Sequence, residues 1–521
     1  MLGLEKILSR ENEGREVVLT SSWVEMSDFK LNPFIAFTGG FPYVVPLSLL
    51  RKRWYPPTPE LENGVAKFAP YGLRKLQALL EREGLEIVVC TPARLKDFVG
   101  KRTKLVGVST MDPLGIGFVS RTYTSILGFK QSISAREFLV LVRLLKRLKK
   151  KYGFKLVVGG AGAWQIPYAG MQEQLDIDLV VVGEAEGAVE ELRKLLRGEE
   201  VPKVIYARRA EMEEVPAITM PSLFGVVEIT RGCGKGCQFC SPTMRKFYSF
   251  PLERVLEEVR LNAKAGTRMI TLQTDDIFLY YHLPKFVPNR EKIAKLVREV
   301  AKVKGVEYLQ VAHASLPPVV YDPKLIEEIS PILVEKSRWK CRGKKVASPE
   351  VGIETGSLRL LKKYMKGKAL PLKPEDWHEI VTTGIEILNK NDIYPLATLL
   401  VGLPGETEED VKQTLELLER LEGMGVFLVP LLFTSEEDCM LRRTREVRSE
   451  ELGRLYWEFF GRCWRHNIMV WSPGTESRLR MVAPLYPLFY KWRFGGRAWH
   501  AYQILAGFEN PTRAVSQSSL E

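Results

Sequence analysis

Cysteine is scarce in this sequence: seven in 521 residues, too few for a disulfide-stapled scaffold. Histidine is scarcer, with five scattered residues and none before His282, so lone structural roles are the ordinary reading for them. No apolar run approaches the ~18 residues that a bilayer span needs, and the first 16 residues carry charges throughout. Both observations argue against a transmembrane segment and a signal peptide, and a cytoplasmic protein is expected. Repeats and low-complexity tracts are also lacking. With 45% hydrophobic and 27% charged residues, 41 Gly and 31 Pro, the composition excludes disorder, collagen and coiled coil. Length alone suggests about three domains at ~150 residues each. Positive charge is in excess, 76 Lys and Arg against 63 Asp and Glu, a net +13. That balance favours an anionic partner, whether RNA, a phosphorylated metabolite, a lipid or a peptide.

Residues 1–63 contain strand-like pieces at 17–20 and 41–45 and a Pro-rich exit at Pro56, Pro57 and Pro59, and are set apart as an N-terminal extension. From residue 64 to 205, helices alternate with short apolar strands, as in a parallel sheet covered on both faces. The longest helix is expected to open with a capping box of Ser134 and Glu137. Its Phe138, Leu141, Val142, Leu145 and Leu148 share one face. Its basic tail, 146–151, suits a helix C-terminus. Residues 206–222 lose periodicity and read as a linker. A second alternation over 223–433 suggests a full or partial barrel, in which chemistry sits on the loops after the strands. Residues 434–521 turn irregular, basic and aromatic and read as a separate C-terminal cap.

Residues 231–240 read RGCGKGCQFC, with three residues between Cys233 and Cys237 and two between Cys237 and Cys240, directly after an apolar strand. Three thiolates on one tight loop suit a [4Fe-4S] cluster with one iron left open to bind a substrate. The interleaved glycines permit positive φ and bring backbone N–H groups toward the sulfurs. Arg231 and Lys235 are expected to add positive charge nearby. Zinc and reduced structural thiols are the competing readings, but structural zinc wants four ligands and no second Cys or His pair stands at usable spacing.

In this spacing, with the aromatic Phe239 just before the last cysteine, the chain resembles the radical S-adenosylmethionine superfamily over about residues 206–430. The resemblance implies parallel strands in a partial barrel, with the cluster in the loop after the first strand. It implies that the amino and carboxylate groups of S-adenosylmethionine chelate the open iron and that the backbone around Phe239 touches adenine. Gln273, Thr274 and Asp275, within TLQTDD, stand where the family meets the methionine amine, although the common Gly-Gly-Glu is missing. Glu354 in GIETGS resembles the position that meets ribose or substrate. Gly402, Pro404 and Gly405 in GLPGE resemble the late glycine motif that packs on adenine. Each motif alone also reads as an ordinary cap or turn; their order behind the cysteine loop favours function.

A doubly wound sheet binds its ligand at the strand C-termini, near the topological switch. Loops 109–115, 157–165 and 181–187 suit that place. A dinucleotide signature fails there, because Gly160 and Gly162 are followed by Gln165 where a third glycine belongs. The order of elements over 64–205 resembles instead the cobalamin-binding domain found ahead of the radical domain in many members of the superfamily. That resemblance marks Asp112, Gly115, Gly159, Gly160, Gly183 and Glu184 as expected contacts. It lacks the Asp-x-His-x-x-Gly loop, so no histidine from this domain is expected on cobalt.

The expected fold class is therefore α/β: a Rossmann-like sheet of cobalamin-binding type, a partial (β/α) barrel and a cap. The expected activity is reductive cleavage of S-adenosylmethionine to a 5'-deoxyadenosyl radical, with an electron donor such as ferredoxin or flavodoxin, and methylation of an unactivated carbon through methylcobalamin. Coupling, cyclisation or rearrangement on a substrate such as a lipid is the alternative outcome, and a non-catalytic iron–sulfur protein that binds nucleic acid is the alternative class. Cys90, Cys341, Cys439 and Cys463 read as structural thiols. The basic runs 336–345 and 442–448 read as solvated faces or as the rim of an anion entrance. The aromatic segment 485–499 suits core packing, an interface or base stacking.

Overall fold

The computed structural model describes residues 12–32, 37–471 and Trp492, so nearly all of the aromatic segment 485–499 lies outside the described residues. The chain divides into two compact units. One runs to Val227 and adds Glu253–Ile270 and Glu436–Asp438; the other holds Glu228–Leu252, Thr271–Ser435 and the described residues from Cys439 onward.

The first unit is built on six strands, β1 (Val17–Ser21), β2 (Ile87–Val89), β3 (Leu105–Ser109), β4 (Lys155–Gly159), β5 (Leu179–Val182) and β6 (Val204–Tyr206). Their order is β2-β1-β3-β4-β5-β6 and every pairing is parallel. The sheet thus begins at Val17, inside the segment set apart above as an extension, and β1 lies between β2 and β3. The reason is visible in β1 itself, whose alternate residues serve opposite faces. Val17 and Leu19 join Leu73, Leu80, Leu192 and Leu195 on one side. Val18 joins Phe138, Leu141 and Leu145 on the other. A strand buried on both faces reads as a continuous apolar run, which is why 17–19 carries no polar alternation.

The long helix spans Ile133–Tyr152, and Phe138, Leu141, Val142, Leu145 and Leu148 are all buried, each stabilising by about 1.5–3 kcal/mol. Its start differs from the expectation. Ser132, not Ser134, is the N-cap and accepts from the Ala135 N–H at 3.2 Å, and Glu137 takes no part in a capping box. Glu137 is fully buried and accepts from Arg51 Nε at 2.8 Å and from the Tyr55 hydroxyl at 2.9 Å. The helix opens two residues earlier than its charge pattern suggests, which turns Glu137 inward. The 206–222 segment is pinned rather than loose: Arg254 donates to the Val215 carbonyl, and Lys75 pairs with Glu258 at 2.6 Å while donating to Pro216.

The remaining strands are β7 (Val226–Glu228), β8 (Thr230–Arg231), β9 (Tyr248–Ser249), β10 (Met269–Gln273), β11 (Tyr308–Val311), β12 (His313–Ala314), β13 (Lys340–Cys341), β14 (Lys344–Lys345), β15 (Glu350–Glu354), β16 (Leu396–Val401) and β17 (Phe427–Leu432). They form a sheet of order β11-β10-β7, a sheet of order β12-β15-β16-β17, and the ribbons β8-β9 and β13-β14. Ala312, between β11 and β12, donates to Leu272 at 3.0 Å and accepts from the Glu350 N–H at 2.9 Å, so the two larger sheets continue one another as a partial barrel. Helices Arg290–Lys302, Pro323–Glu335, Trp377–Lys390 and Glu408–Arg420 alternate with the strands.

The described residues beyond 433 do not form a unit of their own. Helix Arg454–Trp471 belongs to the barrel unit and covers the edge of β17, where Asn467 accepts from the Leu428 N–H and donates to its carbonyl, both at 2.7 Å. An edge strand is thereby kept from pairing elsewhere. The basic run 336–345 is structural: Arg342 binds the Val470 carbonyl at 2.9 Å, Lys336 binds the Val306 carbonyl at 2.7 Å, and Lys344 pairs with Asp392. No helix among the described residues is long and apolar enough to cross a membrane.

Candidate active site

The cysteine loop follows β7 and β8, and its conformation follows from its glycines. Gly232, Gly234 and Gly236 have φ of 74°, 75° and 77°, a region that costs an L side chain strain. These three left-handed turns alternate with Cys233, Lys235 and Cys237. The Lys235 N–H faces the Cys233 sulfur, and Cys240 N–H closes a turn onto the Cys237 carbonyl at 3.2 Å. All three cysteines are free thiols and half-buried. Burial pushes Cys233 up to about 11 and raises Cys237 and Cys240, and Cys240 is raised further by its neighbours Cys237 and Cys233. Three sulfurs that repel one another on one loop form the donor set of a shared anionic group. Among the described residues no three His, Cys, Asp or Glu side chains converge as ligands of a single metal ion. Iron–sulfur ligation by thiolate fits this donor set. Metal uptake would release the thiol protons that burial retains.

A second segment, 364–368, straps the loop. Gln238 N–H donates to the Tyr364 carbonyl and Gly367 N–H to the Lys235 carbonyl, both at 2.9 Å, and Cys237 forms a bridge with Met365. The Tyr364 hydroxyl donates to the Pro404 carbonyl at 2.6 Å. One strap therefore ties the cysteine loop to the GLPGE turn, in which Gly402 and Gly405 have φ of 86° and 71°.

Arg231 and Lys235 do not supply loose positive charge. Arg231 is held two-pronged by Glu228, at 2.8 and 2.9 Å. Lys235 Nζ is buried between Asp276, at 2.6 Å, and Ser315, at 2.9 Å. Of the expected β10 contacts, the Gln273 carbonyl accepts from the Ile229 N–H at 2.9 Å. The Thr274 hydroxyl pairs with Thr230 at 2.6 Å. Asp275 is raised by burial against the pull of Arg245 and His313. His313, one of the scattered histidines, meets the Thr274 carbonyl through Nδ1 at 2.9 Å and Glu350 through Nε2 at 3.1 Å. Burial alone would depress it; the Glu350 carboxylate reverses this and lifts it to about 9. Two acceptors on two ring nitrogens make it an imidazolium donor. Phe239 is buried, at 7% exposure.

Glu354 ends β15 with φ 67°, an unusual conformation for a residue other than glycine. It pairs with Lys368 at 3.1 Å and accepts from the Thr398 hydroxyl at 3.2 Å. Gly352 makes the room, since a Cβ there would stand 2.1 Å from Glu354 Oε1 and 2.7 Å from Lys368 Nζ. Lys368, Gly352 and Ser315 escaped sequence reasoning. Gly352, two positions before a strand-end glutamate, was the one findable signal.

The sheet edge of the first unit meets its expected residues unevenly. Asp112 is consumed by its own loop, accepting from Gly117 N–H at 3.1 Å, Gln165 Nε2 at 2.7 Å and Ser120. Glu184 accepts from Ala210 N–H at 2.7 Å. A Cβ at Gly160 would strike the Thr110 carbonyl at 2.6 Å, and one at Gly115 the Ser132 hydroxyl at 2.8 Å, so those glycines serve loop-on-loop packing. Glu25 ties the switch point between β1 and β3, accepting from Ser21 at 2.6 Å and Met111 N–H at 2.7 Å. Gly159 and Gly183 differ: a Cβ there would make only ordinary van der Waals contacts, with Val181 at 3.8 Å and with Ala207 at 3.5 Å. The unit contains no histidine. Cys90, Cys341, Cys439 and Cys463 are buried and form no disulfide.

Residues 227–418 match the Radical SAM superfamily. A tRNA-2-methylthio-N(6)-dimethylallyladenosine synthase of Thermotoga petrophila is 29% identical over 283 residues, 53% of this chain and 58% of the relative. The ribosomal protein uS12 methylthiotransferase RimO of Porphyromonas gingivalis is 28% identical over 222 residues, 42% of this chain and 46% of the relative. The chain thus spans about half the length of these curated relatives. Among solved structures, the radical S-adenosylmethionine methyltransferase TsrM from Kitasatospora setae, with cobalamin and a [4Fe-4S] cluster bound, has the same fold. The TM-score is 0.52 at 17% identity, covering 80% of this chain and 72% of TsrM.

Proposed function

The chain carries a radical SAM domain over residues 227–418, and from that premise we propose that it is an enzyme that cleaves S-adenosylmethionine reductively and methylates an unactivated carbon. The observation that carries this reading is the trio Cys233, Cys237 and Cys240 on left-handed glycine turns, strapped to the GLPGE turn through Tyr364. When bound, a [4Fe-4S] cluster supplies one electron to the sulfonium and so yields methionine and a 5'-deoxyadenosyl radical; cobalamin, where present, supplies a transferable methyl group.

The protein's own residues do the rest. Cys233, Cys237 and Cys240 would hold the cluster, which would supply an open site for the amino and carboxylate groups of S-adenosylmethionine. Asp275, beside His313, is the carboxyl side chain that meets the methionine amine, with Gln273 and Thr274 shaping the strand end that presents it. Glu354 receives ribose hydroxyls, and Phe239, Gly402, Pro404 and Gly405 enclose adenine. Gly159 and Gly183 are the positions at which cobalamin would be held, without a histidine ligand from that unit. The net charge of +13 supports an anionic substrate, and an electron donor of the ferredoxin or flavodoxin type supplies the reducing equivalent.

Likeness to methylthiotransferases favours a second reading, transfer of a methylthio group. Anaerobic incubation of the reconstituted chain with reductant and methyl-labelled S-adenosylmethionine tests both. Carbon methylation places label on substrate carbon without sulfur; methylthio transfer carries sulfur with it. Absence of 5'-deoxyadenosine with every substrate class tried would refute the enzyme reading.

A further inference from the structure

Two buried lysine–carboxylate pairs flank the cysteine loop. Lys235–Asp276 takes its lysine from the loop itself and is bound up with Ser315. Lys368–Glu354 is different, because its lysine comes from the strap and its carboxylate from the end of β15. The strap is fixed on the loop by the backbone bonds of Gln238 and Gly367 and the bridge of Cys237 to Met365, so Lys368 is carried to the sulfurs by main-chain geometry. Its side chain is 13% exposed and that of Glu354 is 9% exposed. Among the charged groups acting on the Cys237 sulfur Lys368 comes first, with Glu354 opposing it. Gly352 preserves the pair by leaving no atom where a Cβ would collide with both ends.

We propose that Lys368 and Glu354 form a buried charge pair that sets the reduction potential of the iron–sulfur cluster held by Cys233, Cys237 and Cys240. The inference rests on the reading given under Proposed function. Reduction adds one electron, and therefore one negative charge, to the cluster; the donor is oxidised by one electron and no bond breaks. Net charge around a cluster is among the terms that set its potential, and burial strengthens the interaction. Lys368 favours the reduced form and Glu354 opposes it. Removing either therefore leaves the other unopposed, and the two removals act in opposite directions. A merely structural pair would not give opposite signs.

The test is a mediated redox titration of anaerobically reconstituted full-length protein, read by the electron paramagnetic resonance of the reduced cluster, without S-adenosylmethionine. The proteins are wild type, Lys368→Met, Lys368→Arg and Glu354→Gln, each with iron counted first. Lys368→Met is expected to lower the reduction equilibrium about tenfold, a shift of about 59 mV to more negative potential for one electron. Glu354→Gln is expected to shift it by a similar factor the other way, and Lys368→Arg to stay near wild type. Unmoved potentials, or shifts of the same sign, at wild-type iron content overturn the inference while leaving the radical SAM reading intact. If Lys368→Met takes up no iron, the positive shift of Glu354→Gln against an unmoved Lys368→Arg supports the inference, and its absence overturns it. Wild-type protein that takes up no iron overturns the underlying reading and this inference with it.

Discussion

Gly367 offers a direct test of the strap. It is buried, its N–H donates to the Lys235 carbonyl at 2.9 Å, and a Cβ added to it would lie 2.4 Å from that same oxygen and 3.0 Å from the carbonyl carbon. Its φ lies outside the left-handed range, so Gly367→Ala introduces a contact and not a forbidden backbone. The neighbour is main chain, which cannot swing aside as a side-chain tip could. Overpacking of this kind costs about 1–3 kcal/mol, and the hydrogen bond that must lengthen contributes about 1 kcal/mol. A loss of about 2–4 kcal/mol raises the local opening equilibrium about 30-fold to several hundredfold, at about 1.4 kcal/mol per tenfold. Amide hydrogen exchange over residues 235–240 reads that opening directly, and iron occupancy after reconstitution reads its consequence. Gly72→Ala is the control, since nothing lies within 4 Å of a Cβ there. Exchange of the loop within threefold of wild type in Gly367→Ala, or an equal change in Gly72→Ala, refutes the strap.

Arg51→Met leaves the buried Glu137 with the Tyr55 hydroxyl but no cation beside it among the described residues, and removes the Arg51 guanidinium stacked 3.8 Å over Trp23. A loss of about 3–5 kcal/mol is expected in urea unfolding of the first unit, and a loss below about 1 kcal/mol contradicts it. Asn467→Ala strips both backbone partners from Leu428 on the edge of β17. It is expected to cost about 2–4 kcal/mol and to promote association measurable by light scattering; an unchanged, monodisperse variant contradicts this. Glu406 is raised by burial from 4.5 to about 7, against the opposing pull of Gly402 N–H and Tyr456, with Asp410 and Arg359 also facing it. A carboxyl raised on folding contributes stability that is complete below its ordinary value and is lost as pH rises through its folded value. Thermal stability is therefore expected to fall between pH 4.5 and about 7, and Glu406→Gln to flatten that component; parallel pH profiles of the two proteins contradict it.

The parts legible in the sequence were those whose physics is local. Cysteine spacing and interleaved glycines announce the loop, and all three glycines take positive φ. The apolar face of Ile133–Tyr152 is periodic and all five marked residues are buried. What stayed hidden depends on contacts distant in the chain. Lys368 meets Glu354 across 14 positions, and Lys235 meets Asp276 across 41, so neither pairing has a spacing rule. Glu137 looked like a capping residue because its spacing from Ser134 was right, whereas its inward face is decided by Arg51, 86 positions away. At the first sheet's edge the glycines were correctly located as turns. What they accommodate, close backbone at Gly160 and a looser contact with Ala207 at Gly183, is a tertiary fact.

The account stands or falls on the three cysteines of the loop. The measurement is iron and sulfide content together with 5'-deoxyadenosine formation, in wild-type protein and in Cys233→Ala/Cys237→Ala/Cys240→Ala, after anaerobic reconstitution and addition of reductant and S-adenosylmethionine. The account predicts a cluster with wild type, product formation that depends on the reductant, and loss of both in the triple variant. Equal iron content and equal product in the triple variant would contradict it.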